Sequence, residues 1–439
     1  IDATRLTLQS FRDEVWNQKV RGGEYGARSQ YREDTMLAII EDQVTNNRYF
    51  TPKQGLNHEA AYALVSDDVL SDNRLRGYSA KHDIYAEWAM DYILERKYEN
   101  ANREIPAFIN SVGETLAMVN TFARWFEAKI EESDTKIFVS VVYCLLNGTL
   151  SSRWQQAIIK CICGSQIAAH FFNYYRDDLV ANDFAWLDKF ISVMSVSCQT
   201  IEGYITLDGV SYPRMRPVGG GWEAAINIIY DYADAYYMKH LKYVFAVLDN
   251  YLRLRTKDTF VSKKAAMLSL RVFDELAEVR KSDGYFSFEK PEPWCQLVCE
   301  YSVYSADEIK KRLESVIENK WYEHSTPYYE LTKYIATTEY KFYLMGLLVK
   351  NLDTLIALLE DLWLYEKPED KDDSRFVISH RYKNSEWHFG LNAQFLSFST
   401  YMPPSALQTP VLTMLQIEDS LKIKSKNVFD FIIRIANKT

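Results

Sequence analysis

The chain is 439 residues long, 47% hydrophobic, 14% aromatic and 25% charged, which excludes an intrinsically disordered protein. Only 16 Gly and 11 Pro leave too few turn signals for an all-β sandwich or barrel. With 51 basic against 60 acidic residues the net charge is −9, the wrong sign for a protein that grips nucleic-acid phosphates, and no dense basic block offsets it.

The pattern predicts a mainly α protein in three parts. Residues 1–98 carry two amphipathic segments, 6–19 and 31–47, then a Thr51-Pro-Lys-Gln-Gly55 turn and a third helix over 57–66. Two short strands around Val69-Leu70 and Arg74–Tyr78 flank a polar turn, and a new helix opens near His82. Three helices followed by a hairpin is the order of a winged helix. Residues 99–365 repeat helix after helix, at 105–130, 135–146, 151–163, 165–175 and 184–198, as a solenoid-like array of antiparallel helices without a strict repeat. Ser305-Ala-Asp-Glu308 is a capping box that predicts a helix with Ile309, Leu313, Val316 and Ile317 on one face. Residues 203–221 and 366–374 read as longer loops, and 366–439 as a charged linker with further helices of the array. No apolar run approaches the ~18 residues a membrane span needs, so no membrane partner is expected. The chain opens at Ile1 without an initiator Met or a charged leader, and reads as a piece of something longer.

Several motifs offer chemistry, each against a plainer alternative. Gly219-Gly220-Gly221 before a helix resembles an anion-binding loop, but Trp222-Glu223 stands where a phosphate loop needs Lys-Ser or Lys-Thr, so a simple turn is the better reading. The pairs Arg375/His380 and Arg381/His388 match the loose spacing of HEPN-type ribonucleases, in which an Arg and a His on one helix share a phosphodiester; Phe376 after the first Arg departs from it. Cys295 and Cys299 share a helix face as half a metal site would, without further ligands at zinc spacing. The remaining cysteines Cys144, Cys161, Cys163 and Cys198 read as buried thiols of a reducing cytoplasm. No Ser/His/Asp or Cys/His constellation can be assigned, and His58-Glu59 lacks the second His of a zinc-protease helix, so no catalytic residue and no metal site is expected. Tyr236, Tyr237 and His240 read as packing.

One corner stands out. Tyr78-Ser-Ala-Lys81-His82-Asp83-Ile-Tyr-Ala-Glu-Trp-Ala89 places a His-Asp pair where the second strand becomes a helix, with Ile84, Trp88 and Leu94 expected on its core face. Asp83 complements the positive helix end, and His82 there would face any docked anion. The plainer alternative is a capping pair with a packed His.

These residues, with Ala61-Tyr-Ala-Leu-Val-Ser-Asp-Asp-Val-Leu-Ser71 before them, resemble the winged-helix end of STAND-type NTPases, the NLR-like signalling ATPases whose corresponding motif is Met-His-Asp. The stretches 403–410 and 430–437 resemble the helical region of large bacterial members, many of them AVAST-like antiphage proteins. The sharp part of the likeness covers about residues 60–95, and Lys81 replaces the family's Met. The resemblance implies that His82, with Asp83 and Lys81 beside it, senses the phosphate of ADP or ATP held with Mg by a nucleotide-binding domain outside this chain. It implies as partners that domain, a sensed protein such as one from a phage, and further copies on activation, in the cytoplasm. Rival readings are a non-enzymatic helical protein-binding scaffold, a DNA-binding winged-helix regulator, and the HEPN ribonuclease. His58, Glu59, Asp67 and Asp68 against Lys53 alone disfavour DNA.

Overall fold

The computed structural model describes residues 8–23, 26–148, 150–207, 209–254, 259–283, 292–301, isolated positions between 304 and 311, and strand residues 375–382 and 385–392. The protein is mainly α, and among the described residues each sheet is a two-stranded antiparallel ladder. It folds as two compact units. The first comprises 1–181 with 196–198 and 219–221; the second comprises 182–195, 199–218 and 222–439.

The first unit opens with α1 (Leu8–Val15), which passes into a π-helical turn (Trp16–Val20). Then come α2 (Ala27–Thr45), α3 (His58–Ser66), the strands β1 (Leu70–Asn73) and β2 (Gly77–Ala80), and α4 (Asp83–Asn100). The start of α3 is fixed by Asn57, whose side chain accepts the Ala60 N–H at 3.0 Å. Thr51 and Tyr78 exchange backbone hydrogen bonds of 2.8 and 2.9 Å, adding a one-residue bridge to the hairpin. That approach is why position 77 is glycine: its φ is +116°, and a β-carbon there would overlap the Thr51 carbonyl. Met36, Ile39 and Ile40 of α2, Ala61 and Leu64 of α3, and Ile93 and Leu94 of α4 are buried. They are tied at one edge by Glu33, whose carboxylate accepts from Trp16 Nε1 at 2.8 Å, Arg21 Nε at 3.0 Å and Arg96 Nη2 at 3.1 Å.

The helix expected over 105–130 is two helices. Gly113 takes φ +78°, a conformation an α-helix cannot contain, and separates α5 (Ile105–Val112) from α6 (Leu116–Glu131). Next follow α7 (Thr135–Leu146), capped by Asp134 accepting the Ile137 N–H at 3.1 Å, then α8 (Ser152–Gly164) and α9 (Ala168–Tyr174). The packing of α6 against α4, α7 and α8 uses an aromatic cluster. Phe108, Phe122 and Trp125 lie 5.2–5.9 Å apart, and Trp154 of α8 meets Phe122 edge-on at 4.8 Å.

The span α10 (Arg176–Ser197) holds a change of hand: Asn182, Asp183 and Phe184 have φ of 52°, 53° and 61°. The stretch expected as a loop over 203–221 is instead a hairpin of β3 (Gln199–Leu207) and β4 (Val210–Pro217), with a bulge between Ile201 and Gly203. Leu207 pairs with Val210, and Gly209 between them takes φ +78°, as a tight hairpin connection requires. The second unit continues with α11 (Gly221–Asp231), α12 (Ala233–Tyr236), α13 (Leu241–Arg253), α14 (Thr259–Asp283) and α15 (Glu292–Tyr301). Ile226, Ile229, Val244, Val247, Leu268 and Val298 are buried in this unit, and the Tyr301 hydroxyl donates to the Leu248 carbonyl at 2.7 Å. The Ser305 carbonyl accepts the Ile309 N–H at 3.0 Å, one helical turn, while the Ser305 hydroxyl donates to the Tyr301 carbonyl at 3.4 Å. Leu313, Val316, Ile317, the linker at 366–374 and the segments 403–410 and 430–437 lie outside the described residues. Strands β5 (Arg375–Tyr382) and β6 (Ser385–Asn392) form a third hairpin.

Candidate functional site

His82 is the residue that precedes α4, with φ −132° and ψ 142°, and its side chain makes no capping hydrogen bond. Lys81, His82 and Asp83 are all exposed. The backbone of the corner is well held. Lys81 N–H donates to the Val69 carbonyl at 2.9 Å, extending the hairpin, and the His82 carbonyl accepts from Tyr85 N–H at 3.1 Å. Lys81 Nζ stands 3.8 Å from the Asp68 carboxylate, and Asp83 occupies the first turn of α4. The structure therefore brings the three predicted residues together on a fixed frame with the imidazole in solvent. Ile84 departs from expectation: it is 45% exposed, and the buried face of α4 is formed by Ala89, Ile93 and Leu94. With Asp83 opening the helix, residues 84, 88 and 91 fall on a different stripe from 89, 93 and 94.

A cleft of about 270 Å³ opens between α2 and α3, lined by Arg21, Arg28, Arg32, Tyr31, Tyr62 and Glu59 among others. Its two inner arginines brace the fold. Arg21 holds Glu33, and Arg32 donates to the Val20 carbonyl at 2.8 Å and to Asp67 at 2.6 Å. Arg28 pairs with Glu59 at 3.0 Å, both largely exposed. The cleft's positive groups are thus matched from within.

Gly219-Gly220-Gly221 is not an open anion loop. Gly219 has φ +92°, and a β-carbon on it would overlap the Cys163 carbonyl at the end of α8; at Gly220 one would sit 3.3 Å from the Ser165 carbonyl. Gly219 and Gly220 permit close packing against the backbone at the end of α8. The HEPN reading is also overturned. Arg375, His380, Arg381 and His388 lie on strands of an antiparallel ladder, with His380 opposite Trp387 and His388 opposite Ser379, so no helix sets an Arg and a His on one face.

Cys144, Cys161, Cys163 and Cys198 are buried and form no disulfide. Burial pushes all four thiols up, Cys198 to about 11, so they are protonated and unreactive at neutral pH. Among the described residues no group of three His, Cys, Asp or Glu side chains is placed to hold a metal ion. The side chains of Cys295 and Cys299 lie outside the description. No helix among the described residues is long and apolar enough to cross a membrane.

A second polar cluster, read from the sequence as packing, lies in the second unit. Asp188 on α10 accepts from the Tyr236 hydroxyl at 2.7 Å and pairs with His240 Nδ1 at 2.8 Å. The His240 ring stacks on Tyr236 with centroids 4.5 Å apart and meets Phe184 edge-on at 5.7 Å. Burial, reinforced by the Asp188 carboxylate, raises the Tyr236 hydroxyl far above its ordinary range, so it stays a donor. The local signal was only that Tyr236 and His240 are four residues apart. Their partner stands 48 and 52 positions earlier, beyond any local pattern.

No family model and no curated protein matches this chain.

Proposed function

We propose that this chain is the regulatory and sensor-arm portion of a nucleotide-switch ATPase of the STAND type, acting in antiphage defence, in which His82 contacts a phosphate of the bound nucleotide. The observation that carries the reading is the imidazole of His82. It stands in solvent at the positive end of an 18-residue helix, on a backbone held on both sides, with no capping duty of its own. A side chain that contributes so little to the fold, at a helix start suited to anions, fits a contact made to another domain. Lys81, where the family has Met, puts a cation at the same corner, with Asp68 as its resting counter-ion at 3.8 Å. In this reading ADP and Mg are held by the nucleotide-binding domain of the parent protein, and the chain supplies the phosphate contact alone. A target protein bound by the helical arm would favour the state in which that contact is broken.

The test is His82→Ala in the parent protein, with ADP dissociation followed directly. Release about tenfold faster corresponds to the loss of ~1.4 kcal/mol of contact; an unchanged rate overturns the reading.

A non-enzymatic protein-binding scaffold is the second reading, favoured by Val139 and Tyr143, which are 46% and 67% exposed one turn apart on α7. It predicts a partner that binds equally whatever nucleotide the parent holds.

A further inference from the structure

The cluster around His240 has a chemistry of its own, independent of the His82 corner. A carboxylate only accepts hydrogen bonds, so the 2.8 Å contact to Asp188 assigns the proton of a neutral ring to Nδ1. The lone pair is then on Nε2. That atom is buried and has no hydrogen-bond partner among the described residues, and the side chain is 10% exposed. An oxygen of Asp183 lies 3.9 Å from Nε2. A lone pair facing a carboxylate at that range is unfavourable; a proton between them reverses the sign. Asp183 is not otherwise buried, and it pairs with Lys239 at 3.1 Å.

The same aspartate sits in the left-handed turn at 182–184. Asn and Asp tolerate positive φ, whereas a bulky Phe at φ +61° persists only when its surroundings hold it. Phe184 is buried, with its ring against Tyr232, Tyr236 and His240. The strained turn and the histidine are therefore in direct contact on two sides, through the Phe184 ring and through the Asp183 carboxylate.

We propose that His240 is a proton-operated latch on this turn: a proton taken from solvent onto Nε2 draws the Asp183 carboxylate onto the imidazolium and holds residues 182–184 in place. Asp183 and Asp188 from α10 favour the charged ring. Lys239 before α13 opposes it, as does Lys242, whose ammonium lies 4.6 Å over the Tyr243 ring; the Tyr236 hydroxyl, raised far above its ordinary range, is neutral. The imidazolium gains its second ion pair only in the closed turn, so the closed turn binds the proton more tightly than the open one. Closure is therefore strengthened as pH falls and weakened as it rises.

The experiment is hydrogen exchange on the full chain at about pH 6 and about pH 8, a span that brackets the ordinary histidine range. Rates are corrected for their intrinsic pH dependence, and the amides of 182–188 are the probe. Protection of that segment is expected to be several-fold greater at the lower pH. Asp183→Asn, at a position 61% exposed and so tolerant of substitution, is expected to abolish the difference. Equal protection at both pH values in the native chain overturns the proposal. So does an Asp183→Asn chain that keeps the native response.

Discussion

Trp16 donates its indole N–H to Glu33 across 2.8 Å, and the receiving carboxylate is 3% exposed while its two arginine partners, Arg21 and Arg96, are 40% and 41% exposed. One buried acid thus joins the π-helical turn, α2 and α4. Glu33→Gln keeps an acceptor for the indole but discards the charge, and should cost ~2 kcal/mol, the scale of charged hydrogen bonds lost at a buried site. Urea unfolding checks it. The exposed pair Arg28–Glu59 is the control, and Glu59→Gln should change stability by less than ~0.5 kcal/mol.

Gly77 and Gly55 both have positive φ, 116° and 83°, but different surroundings. A β-carbon at 77 meets the Thr51 carbonyl, while at 55 nothing lies within 4 Å. Gly77→Ala should therefore destabilise by roughly 3 kcal/mol or prevent the hairpin from closing, and Gly55→Ala by only ~1 kcal/mol of backbone strain. A thermal-unfolding comparison of the two decides whether the close approach or the dihedral dominates.

The buried thiols set an alkaline limit. Burial raises Cys198 from 9.0 to about 11 in the folded chain. An acid whose folded-state value is raised contributes stability in full below its unfolded value. That contribution is lost as the pH climbs from 9 to about 11, where the unfolded thiol ionises first. Cys198→Ser should flatten this part of the pH–stability profile. Alkylation of Cys161 and Cys163 at neutral pH should track unfolding rather than reagent concentration.

His82→Ala should leave stability within ~0.5 kcal/mol of the native chain, since the ring is exposed and makes no capping bond. Denaturation of this variant separates any effect on nucleotide from an effect on folding. A large loss of stability would mean that the imidazole serves the fold after all.

The helices were readable where their local signals were strong. The helix over 135–146 coincides with α7 because Asp134 caps it and an apolar stripe follows. The corner at Lys81-His82-Asp83 was readable because strand, turn and helix follow within a few residues. The break at Gly113 was missed because apolar periodicity continues on both sides of it, and only the backbone conformation of one glycine interrupts the helix. The β3–β4 hairpin was hidden by its composition of Gly, Pro and Arg, although Asp208-Gly209 between Leu207 and Val210 was the turn signal. The two Arg/His pairs had the right spacing on the wrong periodicity, since strands do not present residues as helices do. His240 was out of reach altogether. Its meaning depends on Asp188 and Asp183, and long-range pairing of that kind leaves no mark in a local pattern.

The freedom of the His82 ring has one further consequence. Because that imidazole is exposed and makes no capping hydrogen bond, meeting the Tyr85 ring of α4 at 6.1 Å, an Arg or Gln can replace it without a compensating change elsewhere. Descendants of this chain can therefore change the chemistry that corner presents by replacing one residue, while their architecture is inherited intact.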